Sequence, residues 1–346
     1  RCPVRVGVRE KRKQTLTHRE RVEHFLTEGE VDRPPVSFWR HFYHRERNAA
    51  DLAEAMLYFQ NKFDWDFMKV NPRASYHVQP WGAEVKFSDE EFMKTKIVGF
   101  PVKNPEDWKR IEPKNPTSGA LGEQLQALNL IGKGLKRNLH FLQTVFNPLS
   151  IAGDLIESDA EMVRHIRTAP RLVHQALEAI AQTFERYVEE VLGAGASGIF
   201  FATTQWASAN LITKEEYLEF GQPYDLRILN RVREAEFNIL HVCESKNFLE
   251  LFSDYPAHAV NWDAMDETNL PLDRGYELLQ KPVLGGVSHL KELLDTDPAK
   301  SAGQANHARH LMEGKRWGLA PGCSIAPETP ELNLARLRNL VDEWRN

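Results

Sequence analysis

The sequence predicts an α/β fold, a single (β/α)8 barrel, and three observations carry that expectation. Eight short apolar runs recur along 346 residues, helix-like segments separate most of them, and the length suits one barrel. Strand–helix alternation implies parallel strands joined by crossovers, and eight such units are enough to close a sheet on itself. An open doubly wound sheet is the competing arrangement.

In chain order, residues 1–17 are polar and basic, with the block "REKRKQ", and are expected to form an arm ahead of a barrel domain over 18–346. The first four strand candidates are "PVSFW" (35–39), "DFMKV" (66–70), "LHFLQTV" (139–145) and "GIFFA" (198–202). The other four are "NILHV" (238–242), "HAVNW" (258–262), "PVLGG" (282–286) and "WGLAP" (317–321). Between them, segments such as "AADLAEAMLYFQNKF", "RLVHQALEAIAQTFERYVEEVLGAG", "KEEYLEFGQPYDLRILNRVREAE" and "PAKSAGQANHARHLMEGK" read as helices. The stretch "AEVKFSDEEF" reads as a side hairpin after the second strand. No repeat of 20–50 residues and no low-complexity linker interrupts the pattern, so one domain is expected.

One motif is set aside. "GAGASG", Gly193–Gly198, matches the dinucleotide fingerprint, but a helix precedes it and a strand follows. That order is reversed from what pyrophosphate binding needs, because the helix N-terminus must face the phosphates. Tight turn glycines are the better reading.

Composition excludes several classes. Net charge is 44 minus 49, or −5, with no long basic block, which argues against a nucleic-acid partner. No apolar stretch approaches the ~20 residues of a membrane span, so no membrane partner is expected. The three cysteines, Cys2, Cys243 and Cys323, do not make a disulfide framework, and a reducing cytoplasm is the expected location.

The chemistry concentrates in "NILHVCESKN". Residues two apart on a strand face the same way, so His241 and Cys243 share a face and Leu240 and Val242 take the other. Both sit at the C-terminal end of the fifth strand, the end that carries the active site in a barrel. Cys323, in "APGCSIAPETP", follows the eighth strand and belongs to the same rim. Two thiolates and one imidazole suit zinc, and three protein ligands leave a fourth position for substrate or water. Spacing alone keeps a second reading open, in which these are small buried residues filling core space. Cys2 is assigned nothing.

Other rim positions follow the remaining strands. Among Trp39, Arg40, His41 and His44, Arg40 is the best match for an anionic substrate group, because its fork fits a carboxylate or sulfonate. An ordinary surface salt bridge is its other reading. Tyr76 and His77 are candidates to line the mouth, and Gln205 to hydrogen-bond substrate. Asp263 is a candidate to orient a ligand or move a proton. His289 and Glu328 are secondary candidates.

On "GASGIFFATTQ", "HVC", "AVNWD", "LGGV" and above all "LAPGCSIAPETPELNLARL", the chain resembles the uroporphyrinogen decarboxylase superfamily from about residue 17 to its C-terminus. Within it, the chain is most similar to the cobalamin-dependent branch of methylcobalamin:coenzyme M methyltransferases. The resemblance implies the uroporphyrinogen decarboxylase type of TIM barrel, with zinc held by His241, Cys243 and Cys323. It further implies a corrinoid (cobalamin) co-substrate, as free methylcobalamin or on a separate corrinoid protein, and a small thiol or related methyl acceptor. A homodimer is among the expected assemblies. The decarboxylases proper carry an "RQAGR"-like motif, whereas "SFWRHF" keeps one arginine and no glycine. Two rival functions are therefore carried forward: a metal-independent, decarboxylase-like carboxy-lyase governed by Arg40 and Asp263, and a non-catalytic corrinoid- or tetrapyrrole-binding protein.

Overall fold

A computed structural model describes residues 15–345. Residues 1–14 of the expected arm, Cys2 among them, lie outside the described residues. Thr17 opens α1 (His18–Leu26) with a capping box, in which the Thr17 and Glu20 side chains each accept the other's backbone N–H.

The strands are β1 (Phe67–Val70), β2 (Glu84–Lys86), β3 (Lys96–Gly99), β4 (His140–Phe146), β5 (Gly198–Ala202), β6 (Ile239–Val242), β7 (Ala259–Trp262), β8 (Val283–Val287) and β9 (Trp317–Pro321). Seven of them form one parallel sheet in the order β1-β4-β5-β6-β7-β8-β9, and β2 and β3 make a side hairpin whose second strand lies beyond the expected stretch 83–92. The first crossover helices are α2 (Ala49–Phe63), α3 (Gly119–Leu135), α4 (Pro148–Asp154), α5 (Asp159–Thr168) and α6 (Pro170–Gly193). They are followed by α7 (Lys214–Phe220), α8 (Gln222–Arg231), α9 (Leu272–Leu279), α10 (Pro298–Leu311) and α11 (Glu331–Glu343). Among the described residues, no helix is long and apolar enough to cross a membrane.

The first expected strand is a correction. Residues 35–39 form no strand, only an isolated parallel bridge between Val36 and Leu319. Pro34 and Pro35 bring no N–H, and the Val36 N–H donates to the Asp66 side chain (2.7 Å) instead of a neighbouring backbone. The segment nevertheless stands where the eighth strand belongs. Ser37 N–H donates to Leu319 O (3.1 Å) on β9, while Asp66 N–H beside β1 donates to Val36 O (2.9 Å), and the sheet closes through it.

The helix expected over 214–236 is likewise two helices, α7 and α8, broken at Gly221. Pro223 explains the break, since it lacks an N–H and disfavours a helical residue before it. "GAGASG" is a helix-to-strand turn, as expected, running from the end of α6 to the start of β5. A Cβ on Gly198 would lie 2.0 Å from Phe237 O, so no larger residue fits there.

Strand alternation sorts the core into two layers. Phe67, Leu142, Phe200, Ile239 and Leu284 fill the barrel interior with Trp39, and Val22 and Phe25 of α1 pack in the same cluster. Leu240, Val242, Val260 and Val283 belong to the larger layer between sheet and helices. His241 therefore shares the inward parity of Ile239. A buried charge cluster fastens α1 to β1: Asp66, just before β1, accepts from Arg21 (2.7 Å), Arg33 (2.6 Å) and His18 (2.8 Å). Against burial, which would raise it, His18 and the two guanidiniums hold the Asp66 carboxyl well below the usual carboxylate range. Arg33 also reaches Asp342 on α11 at 2.8 Å, which ties the two ends of the barrel sequence together.

Candidate metal centre

His241 lies on β6 in register with Asn261 on β7. Its Nδ1 is 2.6 Å from Asn261 Oδ1. The Asn261 amide has its own orientation set, because Nδ2 donates to Leu284 O and Pro321 O, each at 3.0 Å. Oδ1 is thus left to accept, so Nδ1 carries the proton and Nε2 keeps its lone pair. That Nε2 is buried and has no hydrogen-bond partner among the described residues. A buried acceptor without a donor is a position that a metal ion can satisfy.

Cys243 follows β6 directly, and Cys323 follows β9 by two residues. Gly322 allows the second approach, since a Cβ there would stand 2.5 Å from Asp263 Oδ1. The two sulfurs are 3.8 Å apart, and one donor atom from each of His241, Cys243 and Cys323 lies within 4.8 Å of the others. Contact splits the thiol pair. Cys323 is pushed well below the usual thiol range by the Cys243 S–H donating to it, with His241 acting in the same direction. Cys243 is pushed up by that contact and by burial. The donor set of one imidazole and two sulfurs, one already inclined to thiolate, fits zinc.

The three residues open on a cavity of about 230 Å³ at the C-terminal mouth of the barrel. Trp39, Phe146 and Phe200 supply apolar wall, and Gln205 lines it too. Gln205 Nε2 donates to Asp159 Oδ1 at 3.1 Å. A larger cleft of about 860 Å³ lies around Phe25, Tyr276 and Trp317, and it holds none of the three residues.

Several expected site residues are placed elsewhere. Arg40 alternates with the cavity residues Trp39 and His41 and points outward, its guanidinium 4.5 Å from the Phe42 ring centre. Its Nη1 donates to Pro327 O at 2.5 Å. Tyr76 is fully buried, with its hydroxyl donating to Thr144 O (2.7 Å) and its ring near Tyr187. His77 is buried behind the cavity, 4.4 Å from the Phe146 ring between centroids and 2.7 Å from Asp154 Oδ2. The two were expected at the rim because they follow a strand, but the loop after β1 folds back into the helical layer. Asp263 stands beside Gly322, with Oδ2 3.5 Å from His289 Nδ1, and burial raises its pKa. His44 has a buried Nδ1 without a partner among the described residues, and Glu328 lies close enough to influence Arg40 and Tyr43. None of these last four lines the cavity.

Two cavity-side residues escaped the sequence reading. Asn261 is visible only through its register with His241. Lys69 carried a usable signal, a lone cation at inward parity in the apolar run "DFMKV". Its Nζ sits 4.7 Å from the Phe200 ring centre and makes no hydrogen bond among the described residues. Burial lowers its pKa to about 7.

Comparison with known proteins agrees with this architecture. The family profile described as "Uroporphyrinogen decarboxylase (URO-D)" matches residues 17–344. A methylcobamide:CoM methyltransferase, MtbA, of Methanosarcina acetivorans is 21% identical over 347 residues, covering 95% of this chain and 98% of the relative. A uroporphyrinogen decarboxylase of Campylobacter jejuni is 25% identical over 257 residues, covering 71% and 72%. Among solved structures, a methyltransferase from Methanosarcina mazei superposes with a TM-score of 0.79 at 20% identity, covering 96% of this chain and all of that one.

Proposed function

This chain belongs to the uroporphyrinogen decarboxylase family, and within it we propose a zinc-dependent methyltransferase that moves a methyl group between a corrinoid and a small thiol. The observation that carries the reading is the unpartnered Nε2 of His241 beside two sulfurs at the barrel mouth. His241, Cys243 and Cys323 would hold the zinc and leave one position open. When bound, the ion would supply Lewis acidity that favours the thiolate form of an acceptor thiol. The methyltransferase relatives support the reaction class at 21% identity.

The chain's own residues account for the rest. Asn261 holds the His241 ring and its tautomer. Trp39, Phe146 and Phe200 keep the cavity poor in water, which strengthens electrostatic contacts within it. Gln205 is positioned to hydrogen-bond the acceptor, and the Asp263–His289 pair stands beside the Gly322–Cys323 turn. The cavity is below the roughly 300–1,000 Å³ of ordinary ligand pockets, so it takes a small acceptor. The corrinoid, free or on its carrier protein, would dock over the mouth. The decarboxylase alternative depended on Arg40 and Asp263; Arg40 points away from the cavity, and neither residue lines it.

The test combines metal analysis with turnover. Purified protein should hold about one zinc per chain, the occupancy of a single tetrahedral site. With methylcobalamin and a panel of small thiols it should form a thioether and demethylated corrinoid. Zinc-loaded protein that demethylates neither free nor protein-bound methylcobalamin with any thiol defeats the proposal. Porphyrinogen decarboxylation by the zinc-free protein would install the carboxy-lyase in its place.

A further inference from the structure

We infer that His41, oriented by Glu46, accepts the proton that the acceptor thiol gives up, an assignment that rests on the methyl-transfer reading above. His41 stands on the wall of the cavity that also exposes Cys243 and Cys323. Its Nδ1 is 2.8 Å from Glu46 Oε1, and the Glu46 side chain is only 1% exposed. An ionised carboxylate only accepts, so Nδ1 carries the proton and Nε2 has the free lone pair. That Nε2 makes no hydrogen bond among the described residues and is not sealed in the core. The ring is held in plane by Tyr43, stacked at 5.2 Å and 12°.

A purely structural role for this pair is the weaker account. The Phe42 N–H already closes the 42–46 turn onto Glu46 Oε1 at 2.8 Å, and Arg73 Nη1 donates to Glu46 O at 3.2 Å. The turn therefore does not need the imidazole. Glu46 Oε2, meanwhile, is buried with no partner among the described residues, a costly arrangement that leaves carboxylate charge beside the ring. That charge stabilises an imidazolium when one forms. A nucleophile's base, itself oriented by a third group, is the general pattern for activating a weak nucleophile. The other titratable side chains facing this space are Lys69, Lys94 and Glu244, and in their ammonium forms the two lysines favour the thiolate product.

The step balances simply. The acceptor S–H bond breaks, its electron pair stays on sulfur, and the proton forms an N–H bond at His41 Nε2 opposite the Glu46 carboxylate. Sulfur then takes the methyl group, and the cobalt–carbon electron pair stays with the corrinoid. His41 returns its proton to water as product leaves.

Two measurements on the full-length, zinc-loaded protein test the assignment. His41→Gln should slow methyl transfer to a thiol about 100-fold or more, with zinc content unchanged and partial rescue by added imidazole. An active wild type with an equally active His41→Gln variant overturns this assignment and leaves the methyl-transfer reading standing, whereas an inert wild type removes both. Independently of turnover, ¹⁵N NMR of the imidazole should show His41 protonated at Nδ1 and bare at Nε2. Glu46→Leu should mix the tautomers. The opposite tautomer in the wild type overturns the assignment even if neither variant folds.

Discussion

Asn261 Oδ1 lies 2.6 Å from His241 Nδ1, and that one contact decides which nitrogen of the imidazole faces the cavity. The two residues are register partners on adjacent parallel strands, so the bond is built into the sheet and not into a loop. It fixes the tautomer and ring orientation of a histidine at inward parity.

Removing that partner gives the first prediction. Asn261→Ala should weaken zinc binding about 10- to 100-fold, because the ring is free to rotate and change tautomer. Asn261→Asp keeps an acceptor for Nδ1 and should lose less. Competition with a chelating dye measures both, and equal affinities across the three proteins would show that the Asn261 contact is irrelevant to the site.

Cys323→Ser should reduce metal affinity by orders of magnitude while leaving the fold intact. The barrel interior is built from apolar residues such as Phe67, Leu142 and Ile239, which do not depend on an ion. Metal analysis after dialysis, with circular dichroism on the same sample, reads both halves. Full zinc retention in the variant would remove Cys323 from the ligand set.

Asp225 is buried between Tyr217 and Tyr255, whose hydroxyls donate to it at 2.6 and 2.9 Å. Burial raises its pKa from 3.8 to about 7. Between those values the folded state binds more protons than the unfolded chain, so this group's stabilising contribution is present below pH 3.8 and is lost as pH rises through about 7. The slope is about 1.4 kcal/mol per pH unit within that window. Asp225→Asn has no such slope. Urea denaturation at pH 5, 6 and 7 should therefore show the wild-type stability falling relative to the variant, and a gap that does not change with pH would contradict this.

Asp66→Asn should destabilise the fold by about 3–5 kcal/mol, since it leaves the buried Arg21 and Arg33 without the charge they share. The loss should persist in high salt, because the cluster is shielded from solvent. Chemical denaturation at low and high ionic strength checks both statements, and a loss that vanishes in salt would place the cluster's contribution at the surface.

What the sequence determined by itself was local or periodic. Seven of the eight apolar runs are strands, because short runs bounded by turn residues have few other ways to bury themselves in an α/β chain. The period of two put His241 and Cys243 on the inward face before any contact was known, and the barrel's shared rim placed Cys323 with them. The C-terminal rim was a poorer guide for single residues. Tyr76 and His77 follow β1, and Arg40 follows the strandless segment 35–39, but all three turn into the helical layer, and side-chain direction within a loop follows no fixed period. Only the tertiary structure assigned the Asn261 contact, which needs β6 and β7 in register, and the approach of Lys69 to the Phe200 ring, which needs a closed barrel. Only it showed residues 35–37 closing the sheet as a single bridge, because the Val36 N–H takes the Asp66 carboxylate from 30 residues away. Such outcomes depend on which of several partners arrives at hydrogen-bonding distance, and chain spacing alone does not contain that choice.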